Sequence, residues 1–313
     1  GENIKTSLME PSYPTCGKYL EKRADIIRSV RNFFYARGYL EVETPVRIPC
    51  PIPEAHIDPF DSDGWSLHAS PEICMKQLLA RGYERIFQIA RVFRKAERGR
   101  KHLPEFSLLE WYTSDSTYVE LMDQIETLII ELSVDLGLNK QLVYQGHTID
   151  LSPPWDCITV AEAFETFSNT GLSDALENDT YDEVMGCEIE PKLGFEKPVF
   201  LYDYPASKAS LARVREGNDQ VAERVELYIA GLELANGFTE LIDPEEQASR
   251  FKAEQDLRKR LGKKNYPLPE SFLQNLACMP RCAGIAAGLD RIIMLFCDTT
   301  VIDDVVAFIP ENL

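Results

Sequence analysis

Arg224-Val-Glu226-Leu-Tyr-Ile-Ala-Gly-Leu-Glu233-Leu-Ala-Asn-Gly-Phe-Thr-Glu240 is the stretch on which the reading of this 313-residue chain turns. Its acids alternate with apolar residues, as they would on a buried strand. Ala230-Gly231 has the length of a two-residue hairpin loop. That turn sets Tyr228 opposite Glu233 and Glu226 opposite Ala235, so Glu226 and Glu233 become diagonal neighbours on one face, within about 7 Å. Two carboxylates that close repel unless they share a divalent cation, and ligands that are all oxygen suit Mg²⁺ bound to a nucleotide. A bulge at Asn236-Gly237 adds one residue and returns Glu240 to the same face. Three acids then line one wall. A solvated acidic hairpin is the competing reading, and the alternation with apolar residues weighs against it.

Upstream, residues 105–112 read as a strand whose period of two places Phe106, Leu108, Glu110 and Tyr112 on one face. A Glu between apolar neighbours in a core strand is destabilising unless a cation or hydrogen bonds satisfy it, so a positive group is expected beside Glu110. An exposed edge strand is the alternative. Residues 86–94 read as the partner strand, joined by the polar loop 95–103. Leu20, Ile26, Ile27, Val30, Phe33 and Phe34 recur at three and four, which predicts a helix over 17–37 closed by Gly38, then a short strand over 39–43.

Ser70-Pro71-Glu72 reads as a helix start running to about residue 81, with Ser70 as cap and Glu72 at the positive dipole end. Further helices are predicted over 118–136, from the capping box Thr159–Glu162, and from Asp243 to about residue 261. The basic run 258–264 reads as the dipole-favoured end of that last helix. Residues 168–198 read as irregular with at most a short helix, strands resume over 199–204 and 224–241, and 284–295 reads as strand, turn and helix. Consecutive strand pairs among helices favour an α+β fold, an antiparallel β-sheet flanked by helices, over a doubly wound one.

The chain has 33 basic against 51 acidic residues, a net charge of −18, which argues against broad nucleic-acid binding. No stretch approaches the roughly 18 to 20 unbroken apolar residues that a bilayer span requires. The start has no apolar secretory core. Eight scattered cysteines fit neither a zinc nor a disulfide framework, so reduced thiols and a cytoplasmic location are expected.

Arg94 ends a strand before a loop holding Arg98, Arg100, Lys101 and His102, which places it to receive phosphate. In Gly284-Ile-Ala-Ala-Gly288-Leu-Asp290-Arg291, small residues precede a helix whose first turn carries an Arg amid apolar neighbours. A backbone lying close to a ligand, with Arg291 aimed at an anion, explains both features. A close helix crossing with an Asp290–Arg291 pair explains them less fully. The dinucleotide fingerprint is not met, because its third Gly is missing.

Taken together these residues resemble the three signature motifs of class II aminoacyl-tRNA synthetases, in the lysyl branch. Motif 1 resembles residues 33–45, the dimer interface in that class. Motif 2 resembles Phe93-Arg94 through His102-Leu-Pro-Glu-Phe106-Ser-Leu-Leu-Glu110-Trp-Tyr112, and motif 3 resembles 284–291. The similarity runs from about residue 18 to the end and implies one catalytic domain over 1–313. A helical and irregular insertion is expected at about 113–198, with no anticodon-binding domain. The chain is therefore similar to the stand-alone GenX/PoxA family, the elongation factor P lysine lysyltransferases. Pro205-Ala-Ser-Lys-Ala-Ser-Leu-Ala212 resembles that family's form of a segment that reads Ser-Pro-Leu-Ala in tRNA-charging relatives. Ala286 stands where those synthetases have Gly, and its methyl would narrow the pocket beside the α-carbon, favouring an amine one carbon further on.

The resemblance implies ATP and Mg²⁺ as cofactors. It gives Arg94 and Arg291 contact with the ATP phosphates, His102 contact near the nucleotide tail, and Phe106 a stack on adenine. Glu226 and Glu233 would hold Mg²⁺. Glu110, Tyr112 and Glu240 would bind the side-chain ammonium of lysine and Glu72 its other amine, while Asn236 and Phe238 complete the pocket. One departure stands out: the family's Arg-Asn-Glu is Arg94-Lys95-Ala96-Glu97 here, so the acid associated with adenine recognition is displaced to Glu97 or lost. The implied reaction activates lysine, in the (R)-β form, as an adenylate and transfers it to the ε-amine of a lysine in elongation factor P. The implied enzyme is a homodimer with no tRNA partner. A tRNA-charging or small-molecule lysine ligase is the alternative enzyme, and a non-catalytic paralogue that binds lysine or ATP is the alternative outside catalysis.

Overall fold

The computed structural model describes residues 17–313, so Cys16 and the N-terminal stretch without a secretory core lie outside the described residues. Helix α1 (Leu20–Ala36) buries Ile26, Val30, Phe33 and Phe34 of the predicted stripe, whereas Ile27 is half-buried and Leu20, at the helix start, is exposed. Gly38, at φ +74°, takes the left-handed turn that ends it. Only two residues of the expected strand that follows are paired, β1 (Leu40–Glu41). A small sheet β2 (Arg47–Ile48), β3 (Asp61–Ser62) and β4 (Trp65–Leu67) precedes α2 (Glu72–Ala80). The N-cap position of that helix is Pro71, one residue later than expected, and the hydroxyl of Ser70 just before it accepts the Glu72 N–H at 3.0 Å.

The long pair β5 (Arg85–Phe93) and β6 (Glu105–Ser114) leads to α3 (Tyr118–Asp135), which starts at a Thr117–Glu120 capping box. A hairpin, β7 (Gln141–Tyr144) with β8 (His147–Asp150), then β9 (Asp156–Thr159) and α4 (Val160–Phe167) follow. Next come α5 (Leu172–Glu177), α6 (Tyr181–Val184), β10 (Val199–Pro205), β11 (Val221–Ile229) and β12 (Leu232–Thr239). The chain closes with α7 (Pro244–Arg260), α8 (Glu270–Leu276), β13 (Cys282–Gly288) and α9 (Leu289–Phe296). Eight strands form one sheet in the order β1-β5-β6-β13-β12-β11-β10-β9. All neighbours are antiparallel except β1 with β5 and β9 with β10. This is the α+β architecture that the strand pairs imply.

One face of the sheet is packed by α1, α3 and α9 around Phe34, Phe87, Trp111, Leu128, Ile285 and Met294. Phe34 and Phe87 stack at 4.5 Å between centroids. The opposite face carries a second core, in which α2, α7 and α8 pack Leu79, Phe251 and Phe272 around Ile86 and Tyr112, and the site lies beside it.

Residues 168–198 differ from expectation. They are mostly helical, with α5, α6, a π turn at Met185–Ile189 and a 3-10 turn at Glu190–Lys192. Their few apolar residues, Ala175, Tyr181, Val184, Met185 and Ile189, pack on Val160, Phe164 and Tyr228, and that shared core stabilises turns too short to be stable alone. Within 113–198, α3 joins the main core and β9 extends the sheet edge.

Candidate active site

The hairpin at Ala230-Gly231 forms as expected, with both residues at positive φ, and Tyr228 faces Glu233. Its bulge lies elsewhere than predicted. Leu227 pairs with Ala235 and Glu226 with Asn236, so Leu234 is the extra residue, and no bulge occurs at Asn236-Gly237. Leu234 and Ala235 are both buried in the main core, and burying two consecutive side chains on one side requires that irregularity. The bulge brings Glu233, Asn236, Phe238 and Glu240 onto the face that carries Glu226.

Paired residues on adjacent strands share a face. One row therefore crosses the sheet through Gln88, Glu110, Ala286, Asn236 and Glu226. The next row runs through Ile86, Tyr112, Gly284, Phe238 and Arg224. Two adjoining cavities open on this face and share Arg94, Leu108 and Ala286.

The first cavity is lined by Glu72, Glu110, Tyr112, Asn236, Phe238 and Glu240. Glu110 accepts hydrogen bonds from the Ser70 hydroxyl at 2.9 Å and the Tyr112 hydroxyl at 2.5 Å. The positive group expected beside Glu110 does not touch it. Lys76, fully buried, instead donates to Glu72 at 2.5 Å and forms an ion pair with Glu240. Sequence reading missed Lys76, although a Lys four residues after Glu72 in an apolar helix was a signal. Burial, then the charge of Glu72, pushes the Glu110 carboxyl up to about 7. Burial pushes Glu240 up to about 8, with Lys76 opposing and Glu72 adding to it. A Cβ on Gly284 would sit 2.2 Å from the Tyr112 ring and 2.5 Å from the Glu240 carboxylate, so the glycine makes room for the cavity's own walls.

The second cavity carries cations. Arg94, Lys101, His102, Phe106, Glu233 and Arg291 line it, with Glu97 and Gly288. The Arg94 guanidinium lies 5.1 Å from the Phe106 ring centroid, and its buried Nε has no hydrogen-bond partner among the described residues. Arg291 donates to the Glu233 carbonyl at 2.9 Å, shares a hydrogen bond with His102 Nε2 at 2.7 Å, and stands 3.6 Å from the Glu233 carboxylate. Burial, then Arg291, holds His102 below its ordinary value and so neutral at pH 7. Ala96 is in the left-handed region at φ 65°, in the loop that turns Glu97 onto this cavity.

Two neighbouring features of these motifs take other roles, and the disfavoured Asp290–Arg291 pair does not form. Arg98 is bound to Asp303 and Glu311, and Arg100 to Thr300, so neither reaches the cavity with Lys101 and His102. Asp290 pairs with Arg23 at 2.5 Å and accepts the Ser107 N–H at 2.7 Å, so it braces α9 without touching Arg291.

Glu226 lines neither cavity. It is held by Arg224 at 2.7 Å and by the Tyr228 hydroxyl at 2.6 Å. Burial, then the charge of Glu226, pushes the Glu233 carboxyl upward, as two acids lacking a shared cation should behave. Among the described residues, no three His, Cys, Asp or Glu side chains gather around a common metal position. Mg²⁺ on a nucleotide needs only one or two carboxylates, since phosphates and water complete its shell, so Glu233 fits that ion as placed, and Glu226 fits once Arg224 or Tyr228 releases one of its oxygens.

A family model described as tRNA synthetases class II (D, K and N) matches residues 3–312, and the chain is a member of that class. Its relatives include the elongation factor P–(R)-β-lysine ligase of Salmonella gallinarum, 40% identical over 94% of this chain and 95% of that protein. The ligases of the same name from Yersinia enterocolitica and Proteus mirabilis are 37% and 39% identical, covering 97% and 92% of this chain and 98% and 94% of theirs. Within the class, the chain belongs to the family of elongation factor P–(R)-β-lysine ligases. Among the described residues no helix is long and apolar enough to cross a membrane, and seven cysteines are free.

Proposed function

We propose that this chain uses ATP to activate a lysine, (R)-β-lysine in preference to α-lysine, and transfers the acyl group to the ε-amine of a lysine in elongation factor P. The names of its relatives support the substrates. The observation that carries the reading is that an acid-lined cavity and a cation-lined cavity meet at Arg94 and Ala286. A diamino acid suits the first, a nucleotide polyphosphate suits the second, and their reacting groups meet at the border.

In this reading Glu110, Tyr112 and Glu240 receive the distal ammonium and Glu72 the second amine, with Asn236 and Phe238 closing the pocket. Phe106 stacks on adenine, His102 sits near the nucleotide tail, and Arg94 and Arg291 bind phosphate oxygens. Mg²⁺, held by Glu226 and Glu233, would neutralise charge on the polyphosphate. A substrate carboxylate oxygen attacks the α-phosphorus, the bond to the bridging oxygen breaks, and pyrophosphate leaves. Arg94 is placed to stabilise the charge that develops there. The acceptor lysine's neutral amine then attacks the acyl carbon, AMP departs with the C–O bond electrons, and the nitrogen loses a proton to solvent. Ala286, at the cavity border, is the residue whose methyl crowds the α-position.

The same reading includes one catalytic domain over 1–313, a homodimer through residues 33–45 and a cytoplasmic location. Exposed Tyr35, Leu40 and Val46 beside edge strand β1 support the dimer, and the free cysteines support a reducing compartment. The test is ATP–pyrophosphate exchange with each lysine isomer, then mass measurement of elongation factor P and of tRNA. Exchange should be greatest with (R)-β-lysine, and only the protein should gain an acyl group. Lysine binding without pyrophosphate or AMP release would select the non-catalytic alternative.

A further inference from the structure

Residues 51–59 form neither helix nor strand, yet α7 and its C-terminal flank bind them at four positions. Arg258, only 2% exposed, donates Nη1 to the carbonyls of Glu54 at 2.7 Å and Ile57 at 3.0 Å, and Nη2 to the Asp58 carboxylate at 2.8 Å. Glu254 accepts the Ala55 N–H at 2.7 Å, and Lys263 donates to the Ala55 carbonyl at 2.9 Å. The basic end of α7 therefore does more than complement a helix dipole. It holds the Glu54 backbone rigidly while the side chain lines the first cavity. Among the described residues the Glu54 carboxylate has no hydrogen-bond partner.

Glu54 lines the first cavity together with Glu72 and Arg94, and burial pushes its carboxyl upward while the Arg94 charge opposes. Glu54 thus shares the first cavity's wall with Arg94, the residue that also lines the second cavity, whereas Glu240 lies beside buried Lys76. With all four acids ionised, as binding of an ammonium requires, Glu54, Glu72, Glu110 and Glu240 face Lys76 within the wall and Arg94 at the rim, an excess of two negative charges. A ligand with two ammonium groups matches that excess.

We infer that Glu54 is a specificity-determining residue that joins Glu72 in binding the amine nearest the reacting carboxylate, leaving the distal ammonium to Glu110 and Glu240. The inference rests on the function proposed above. Its test compares (R)-β-lysine with 6-aminohexanoic acid, which keeps the carboxylate and distal amine but lacks the second amine. Binding is measured by calorimetry and activation by pyrophosphate exchange, for the wild type, E54Q and E54D.

E54Q should weaken (R)-β-lysine binding by about 10-fold or more, the order lost with one charge-assisted hydrogen bond. It should change 6-aminohexanoic acid binding by less than about 2-fold, because that ligand has no amine to lose contact. KM should rise more than kcat falls, and E54D should restore part of the preference. Equal losses for both ligands would show that Glu54 only shapes the loop, and an unchanged preference would show that it reads no amine; either overturns the inference. A wild-type chain that binds neither amino acid overturns the underlying reading as well, which separates the two failures.

Discussion

The two cavities lie on one face of one sheet and share Arg94 and Ala286, but they hold their charges differently. In the first, Glu110 and Glu240 are each 2% exposed and their chemistry is set by burial and mutual repulsion. In the second, Arg291 and His102 reach in from a helix start and a loop and keep contact with solvent. Desolvated carboxylates can discriminate an ammonium from a neutral group, because an unmatched buried charge is penalised heavily. Phosphates, which carry many equivalent oxygens, need donors that can reach and adjust. The first cavity is built to select and the second to hold.

That contrast can be broken by experiment. Arg291→Ala should show the largest effect, slowing adenylate formation by about 10² to 10³-fold, as loss of one preorganised stabiliser does. Near-normal pyrophosphate exchange in that variant would remove the second cavity from the chemistry. Glu110→Gln should weaken lysine binding by about 10- to 100-fold, the equivalent of a charged hydrogen bond, while leaving ATP binding unchanged. A similar loss for both ligands in titration calorimetry would mean that the cavities are not separate in function.

Acidity sharpens the same comparison. Burial pushes the Glu110 and Glu240 carboxyls up to about 7 and about 8, above the ordinary 4.5. Between those values the folded chain holds protons that the unfolded chain has lost, so stability of the empty protein falls as pH rises from about 5 to 8. Lysine binding needs the charged acids, so its affinity should rise over about pH 6 to 8 with proton release on binding, seen in buffers of different ionisation enthalpy. Affinity that stays flat in this range would contradict the picture of a crowded acid cluster. The smallest effect is expected for Glu97→Gln, a rise of roughly 2- to 10-fold in KM for ATP, the worth of one hydrogen bond. No rise would leave Ala96 as an uncompensated departure from the family's motif.

Much of this site was legible in the sequence because it is written in short periods. Phe106, Glu110 and Tyr112 share a face through a period of two, and the Thr159–Glu162 box starts its helix as its residue types require. Residues 168–198 were not legible, since their helical turns depend on side chains of the preceding α4 and of β10 and β11 further along the chain. Glu54 and Arg258 escaped for a related reason: a loop acid and a helix-end base look solvated until 200 residues of chain fold them together.

What the sequence determined by itself was the alternation, the caps and the order of the motifs, because each depends on neighbours a few residues apart. Only the tertiary structure decided that Leu234 carries the bulge, that Lys76 is shared between Glu72 and Glu240, and that Arg258 aims Glu54. These are properties of distance and burial between remote segments, and a linear pattern does not contain them until the core has closed.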